Sequence, residues 1–87
     1  MAYTVYVLYS KKDKELYVGC TNNLDNRLKS HQSGHIGATR HRRPLELIYK
    51  EQFNAKTDAF NRERFLKSLW GSREKKKILQ RYLNGVS

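Results

Sequence analysis

The sequence is short of cysteine, of acidic residues and of continuous apolar stretches. Cys20 is the sole cysteine, so the chain can form no internal disulfide and holds no cysteine-rich zinc pattern. The spacing of His31, His35 and His41 gives no zinc signature either. No run approaches the roughly 20 apolar residues of a membrane span, and the N-terminus lacks the basic region and apolar core of a signal peptide. No strongly apolar amphipathic stretch points to an anionic membrane surface. These absences predict a cytoplasmic protein without membrane association. At 87 residues the chain is expected to be a single domain, 1–87, with a small core and no deep enclosed site. An open face or shallow groove suits a long polymer better than a small metabolite.

What is abundant is positive charge. Eighteen Lys and Arg against eight Asp and Glu leave a formal charge of +10. Such a field draws polyanions and raises encounter rates, and neutralising phosphates releases condensed counterions. Nucleic acid is the partner this implies, DNA first and RNA compatible with it; a protein partner is a further option that charge does not identify.

Residues 3–9, rich in aromatic and β-branched types and apolar on both faces, predict a central strand. A polar turn over 10–15 and a second strand over 16–20 complete a hairpin. Thr21 or Asn22 is positioned to cap a helix with Leu24 and Leu28 on one face, running to about Ser33 and stopped by Gly34. A basic loop over 34–43 ends at Pro44, and residues 45–53 read as a third strand. After a turn at 54–56, Thr57 is expected to cap a second helix whose apolar stripe is Ala59, Phe60, Phe65, Leu66 and Leu69. Gly71 breaks it, and Ser72 is expected to cap a basic third helix, with the tail from Asn84 fraying. The order is β-β-α-β-α-α, an α+β or mixed fold with helices covering a small sheet. The hairpin must be antiparallel; the direction of the third strand is open at this level.

Several residues carry chemistry. Tyr6 and Tyr17 fall on neighbouring strands of the hairpin and can approach across the pair, although tyrosine is also an ordinary strand residue. Arg27 and His31, four apart, share a helix face; one offers a planar fork for phosphate oxygens, the other a proton relay near neutral pH. Glu63 lies between Arg62 and Arg64, either as a surface ion pair or as a hard oxygen ligand for Mg2+. With so few acids and no second carboxylate beside it, one ion is favoured over two.

These pieces occur in a recognisable order. Thr4-Val5-Tyr6, a polar turn and Tyr17-Val18-Gly19 lead into Thr21-Asn22-Asn23-Leu24, Arg27 and His31. Arg42-Arg43-Pro44-Leu45-Glu46-Leu47 follows, then Arg62-Glu63 and Leu66-Lys67-Ser68. Over roughly residues 3–75 the set resembles the GIY-YIG nucleases, most closely their small stand-alone bacterial members. The resemblance implies a three-stranded antiparallel sheet flanked by helices and hydrolytic cleavage of DNA with one divalent ion, Mg2+ or Mn2+. It makes Tyr6 and Tyr17 the paired tyrosines, Arg27 the phosphate-binding arginine, His31 the histidine of many members, and Glu63 the metal ligand.

Two positions depart from the family pattern. Thr4 stands where the first tripeptide has glycine, and Cys20 stands where the nucleotide-excision-repair nuclease subunit has lysine. If that lysine activates the nucleophile, His31, Lys14 or bulk water must serve here. The expected reaction uses a phenol whose pKa is lowered by the metal and nearby cations, with Tyr6 and Tyr17 equal candidates for the base. All five side chains should then converge on one groove. The loop 35–43 and the third helix should flank it, with Arg40, Arg42, Arg43, Arg73, Lys75, Lys76 and Lys77 supplying phosphate contacts. The competing reading is a non-catalytic module that binds nucleic acid or a protein partner on the same fold.

Overall fold

The computed structural model describes residues 2–85. Strand β1 (Tyr3–Ser10) and strand β2 (Leu16–Thr21) precede helix α1 (Leu24–Ser33) and a 3-10 turn at Arg40–Arg42. Strand β3 (Leu45–Phe53), helix α2 (Lys56–Lys67), a 3-10 turn at Leu69–Gly71 and helix α3 (Ser72–Asn84) complete the order. The sheet runs β2-β1-β3 with both pairings antiparallel, so β1 is central as its two-sided apolar character requires, and the third strand's direction is fixed.

The period-two alternation of β1 divides the interior. Val5 and Val7 point to a layer with Val18, Ala59, Leu66 and Ile78, the side covered by α2 and α3. Tyr6 and Leu8 point the other way, to Leu45 and the half-buried Tyr17, Leu24, Leu28 and Leu47, the side covered by α1. Each fully buried aliphatic side chain contributes about 1.5–3 kcal/mol, so Leu66, which has no solvent exposure, is a position where truncation to Ala costs about 2–5 kcal/mol. The β1–β3 register shifts between Val7 and Leu8, which face Tyr49 and Leu47. The extra residue, Ile48, allows Ile48 and Tyr49 both to pack on the α2–α3 layer.

Several expected caps move. The N-cap of α1 is Asn23, whose Oδ1 accepts from the Asn26 amide at 3.1 Å; Thr21 instead accepts from the Asn23 amide, also at 3.1 Å, and shapes the turn before it. Gly34 ends α1 in the left-handed conformation at φ 85°, where glycine is favoured. Helix α2 starts at Lys56 on an Ala55 carbonyl, so Thr57 is inside it and caps nothing. Helix α3 has Gly71 at its N-cap and Ser72 as its first residue. A Cβ on Gly71 would collide with the Phe65 carbonyl and the Leu66 Cα, so glycine lets the start of α3 lie against the end of α2. Asn84 closes α3; the last two residues of the expected tail lie outside the described residues.

The expected apolar stripe of α2 is only half internal. Ala59 and Leu66, seven apart, are buried, whereas Phe60 and Phe65 are about two-fifths exposed and Leu69 is almost fully so. Lys56 lies over the Phe60 ring at 5.4 Å and Arg62 over Phe65 at 5.5 Å, which accounts for two aromatics at the surface. Arg62 also reaches Glu51 of β3 at 3.0 Å and Glu74 of α3 at 3.5 Å, one guanidinium joining three elements. Among the described residues no helix is long and apolar enough to cross a membrane.

Candidate active site

The site begins with a missing side chain. Across the β1–β2 pairing Tyr6 faces Gly19, and Tyr17 faces Leu8, so the two tyrosines are diagonal neighbours on the α1 face. A Cβ on Gly19 would strike the Tyr6 hydroxyl and the ring carbon that bears it, and would come within 2.9 Å of Cε2. Glycine therefore lets the Tyr6 ring lie down over β2 and carry its hydroxyl toward α1.

Helix α1 meets that hydroxyl with two side chains one turn apart. His31 Nε2 lies 3.0 Å from the Tyr6 hydroxyl, and Arg27 Nε donates to the same oxygen at 3.4 Å. The other imidazole nitrogen, Nδ1, is 2.7 Å from Thr39 Oγ1. The Tyr6 side chain, His31 and Thr39 are all withdrawn from solvent. Tyr17, half-buried, sets its ring edge-on to His31 with centroids 5.2 Å apart; Tyr6 does the same at 5.8 Å.

One proton arrangement gives the Tyr6 hydroxyl hydrogen an acceptor. Arg27 can only donate, so the Tyr6 oxygen accepts from it and sends its own O–H to His31 Nε2. Nε2 is then an acceptor, and Nδ1–H donates to Thr39. The imidazole is neutral in this arrangement. Burial, with the Arg27 charge as a second cause, holds the His31 pKa below its usual value. Burial also pushes the Tyr6 phenol up, against the opposing hydrogen bond and charge of Arg27, while Tyr17 and Glu63 add to the rise. The expectation of a phenol with a lowered pKa is thus reversed for Tyr6 in the protein alone. The contact with Tyr6 foremost, and Tyr17 as a lesser one, raises the pKa of Arg27 and keeps it cationic.

Glu63 approaches from the opposite layer, on α2. Because Arg62 is turned to Glu51 and Glu74, neither flanking arginine neutralises Glu63; its ion pair is with Lys67 at 3.1 Å, one turn along the helix. The Glu63 charge bears on both Tyr6 and Cys20. Four of the five candidate side chains, Tyr6, Tyr17, Arg27 and His31, thus interlock directly, and Glu63 adjoins them through its charge rather than a hydrogen bond.

Among the described residues no three His, Cys, Asp or Glu side chains gather as a metal-ligand set. The donor set is one hard, part-buried carboxylate, which fits a largely hydrated Mg2+ completed by substrate phosphate rather than a protein-caged or two-metal centre. Cys20 packs on the α2–α3 layer, and burial, aided by Glu63, pushes its thiol pKa up. Lys14 is in the β1–β2 turn, beside Ser72, Lys75 and Lys76 of α3, at a distance along the hairpin from the tyrosine cluster.

The basic residues do not form one rim. The 35–43 segment covers the α1 side, where Arg42 pairs with Asp13 at 3.0 Å and its carbonyl accepts from Ser10 Oγ at 2.6 Å. Arg43 donates to the carbonyls of Arg40 and Gln32 at 2.9 and 3.3 Å. Both arginines are therefore occupied in holding the loop, leaving Arg40 exposed. Arg73, Lys75, Lys76 and Lys77 belong to α3, on the other side of the sheet, so loop and helix do not flank a common groove as expected. Thr39 is the member of the site that the sequence motifs do not include, and Gly19, present in the second tripeptide, has a role only the packing of Tyr6 reveals.

The sequence profile of the GIY-YIG catalytic domain matches residues 2–77. The chain belongs to the GIY-YIG family. The matched span contains both Thr4-Val5-Tyr6 and Tyr17-Val18-Gly19. The UPF0213 protein of Clostridium perfringens is 48% identical over 67 residues, 75% of this chain and 70% of its own. That of Natronomonas pharaonis is 47% identical over 77 residues, 86% of both chains. The solution NMR structure of the UPF0213 protein BH0048 from Bacillus halodurans shares the fold, with a TM-score of 0.58 and 34% identity. That superposition covers 92% of this chain and 84% of the other. The GIY-YIG fold expected from the sequence, three antiparallel strands and three helices in the order β-β-α-β-α-α, is the one observed.

Proposed function

We propose that the chain acts as one catalytic unit, a divalent-metal-dependent endonuclease that hydrolyses phosphodiester bonds of DNA. The observation that carries this reading is the hydrogen-bonded chain Arg27–Tyr6–His31–Thr39, buried at every member but the half-buried Arg27. A fold needing only packing would fill these positions with apolar side chains at less desolvation cost. Here a linked polar set holds a cationic arginine beside the more accessible tyrosine.

Roles follow from what each group has left to offer. Arg27 uses Nε on Tyr6, which leaves its terminal nitrogens for phosphoryl oxygens, where they neutralise charge developing in the transition state. Tyr6 is committed to Arg27 and His31, which makes it an orienting group. Tyr17, with part of its surface open, is the phenol available to take the proton of the attacking water. Glu63 would hold one Mg2+ or Mn2+, with Lys67 turning aside. Such an ion supplies charge to polarise a phosphoryl oxygen and stabilise the leaving group.

The test is incubation with branched, nicked and single-stranded DNA, with Mg2+ or Mn2+, beside a Glu63→Ala control. Metal-dependent cleavage by the native chain and none by the variant is expected. Failure to cleave any of these substrates would instead favour a binding module that keeps the fold without the reaction.

A further inference from the structure

The corner between α2 and α3 presents the least protected apolar side chains described. Leu69 is 91% and Trp70 85% exposed, in the 3-10 turn that joins the helices. The corner is not loose: Gly71 is buried, and its close approach to the Phe65 carbonyl and the Leu66 Cα fixes the turn against the end of α2. Phe60 and Phe65, the other exposed aromatics, each lie under a cation, whereas no such contact covers Trp70 among the described residues. Around the corner in sequence stand Arg64 of α2 and Arg73, Lys76 and Lys77 of α3. All four are exposed, and none forms an ion pair with a described residue.

A bare indole on a fixed turn, joining two helices that carry unneutralised cations, matches the chemistry of an unstacked nucleotide. The ring offers a face for a base and the cations neutralise the adjoining phosphates. An apolar protein partner fits less well, because two exposed apolar residues between two basic helix segments fall far short of a protein-binding core. Within a blunt duplex the bases are stacked on one another and present no free face to the indole.

We propose that Trp70, with Leu69 beside it and the exposed Arg64, Arg73, Lys76 and Lys77 on the two helices it joins, is a stacking platform for unpaired bases of single-stranded or frayed nucleic acid. This deepens the nuclease reading by naming the substrate class, strands with unpaired bases, and rests on that reading only for what the captured strand is used for. Helix α2 connects the platform directly to Glu63.

Trp70 is the sole tryptophan, so its fluorescence reports this corner alone. The test uses the full chain in EDTA, titrated with an oligothymidine strand and with a blunt duplex of equal length. Saturable quenching by the single strand and little by the duplex is expected. Binding of a dye-labelled strand, followed by anisotropy, should weaken roughly five- to one-hundred-fold in Trp70→Ala and much less in Trp70→Phe. Duplex affinity should stay nearly unchanged. Unaltered strand affinity in Trp70→Ala, or strand binding without any change in tryptophan emission, overturns the proposal. So does an emission shift produced by anionic phosphatidylserine vesicles but not by the strand, which would assign the corner to a membrane surface. Because no divalent ion is present, absence of cleavage has no bearing on this result; stacking without metal-dependent cleavage would reject the nuclease reading and leave the platform standing.

Discussion

The hydroxyl of Tyr6 and Nε2 of His31 lie 3.0 Å apart, with neither side chain reached by solvent. The contact ties the central strand to α1 and orients the imidazole and, through the same oxygen, Arg27. Tyr6→Phe keeps the ring and removes the link, taking a partner from the buried His31 and from the half-buried Arg27. The expected loss of stability is about 1–3 kcal/mol by denaturant titration, with cleavage reduced as Arg27 loses its support. Unchanged stability and rate would mean the ring alone matters. In Tyr17→Phe the rate should fall about 10²–10⁴-fold with stability nearly unchanged, as expected for a proton acceptor.

His31 makes stability depend on pH in a defined direction. Its pKa is lowered in the folded protein, so below the ordinary value near 6.5 the unfolded chain binds the proton more readily. The stability contributed by neutral His31 is complete above that pH and falls as pH drops from there toward the folded-state pKa. Melting curves between pH 7.5 and about 5 should show this fall, and His31→Gln should flatten it. An equal fall in the variant would place the titration elsewhere.

Gly19→Ala should be costly although it adds one methyl group. The Tyr6 ring would have to leave its place over β2, and overpacking of this kind costs about 1–3 kcal/mol. The nuclease reading predicts lost cleavage as well, since Arg27 and His31 are oriented through that ring. Normal melting and normal cleavage together would show that the strand gives way without harm.

Glu63→Ala and Arg27→Ala should separate metal binding from phosphate binding. The first removes a negative charge, so DNA affinity in EDTA should hold or rise slightly while cleavage disappears. The second removes a phosphate contact, so cleavage should fall, binding should weaken modestly, and the log–log salt slope should shrink by about one unit. Cleavage by Glu63→Ala at controlled metal would rule out the one-ion scheme.

Much of this was legible in the sequence because it depends on local periodicity. The two-sided apolar run at 3–9, the alternation in 45–53 and the Gly34 stop lead directly to β1, β3 and the end of α1. Ordered motifs marked Tyr6, Tyr17, Arg27 and His31, which the fold brings together. Thr39 escaped notice because nothing in Gly37-Ala38-Thr39-Arg40 signals burial; only the loop's path back over α1 buries it. Leu69 was assigned to the α2 stripe because helical spacing was continued past Lys67, where the chain turns into a 3-10 corner. Arg42 and Arg43 read as phosphate ligands because charge is visible in a sequence, whereas Asp13, 29 positions away from Arg42, and the carbonyls that occupy them are not.

Strand β1 divides its side chains between two interiors, odd positions to one and even positions to the other. Parity along it is therefore fixed. Deleting Tyr6 would not merely shorten the strand; it would turn Val7 to the face of the site and Leu8 to the layer beneath α2 and α3. The exposed turn at Lys11–Lys14 carries no such constraint, since it belongs to neither interior. Insertions and deletions in descendants of this chain should therefore accumulate in the turn, while the strand beside it admits exchange of residues but not a change of length.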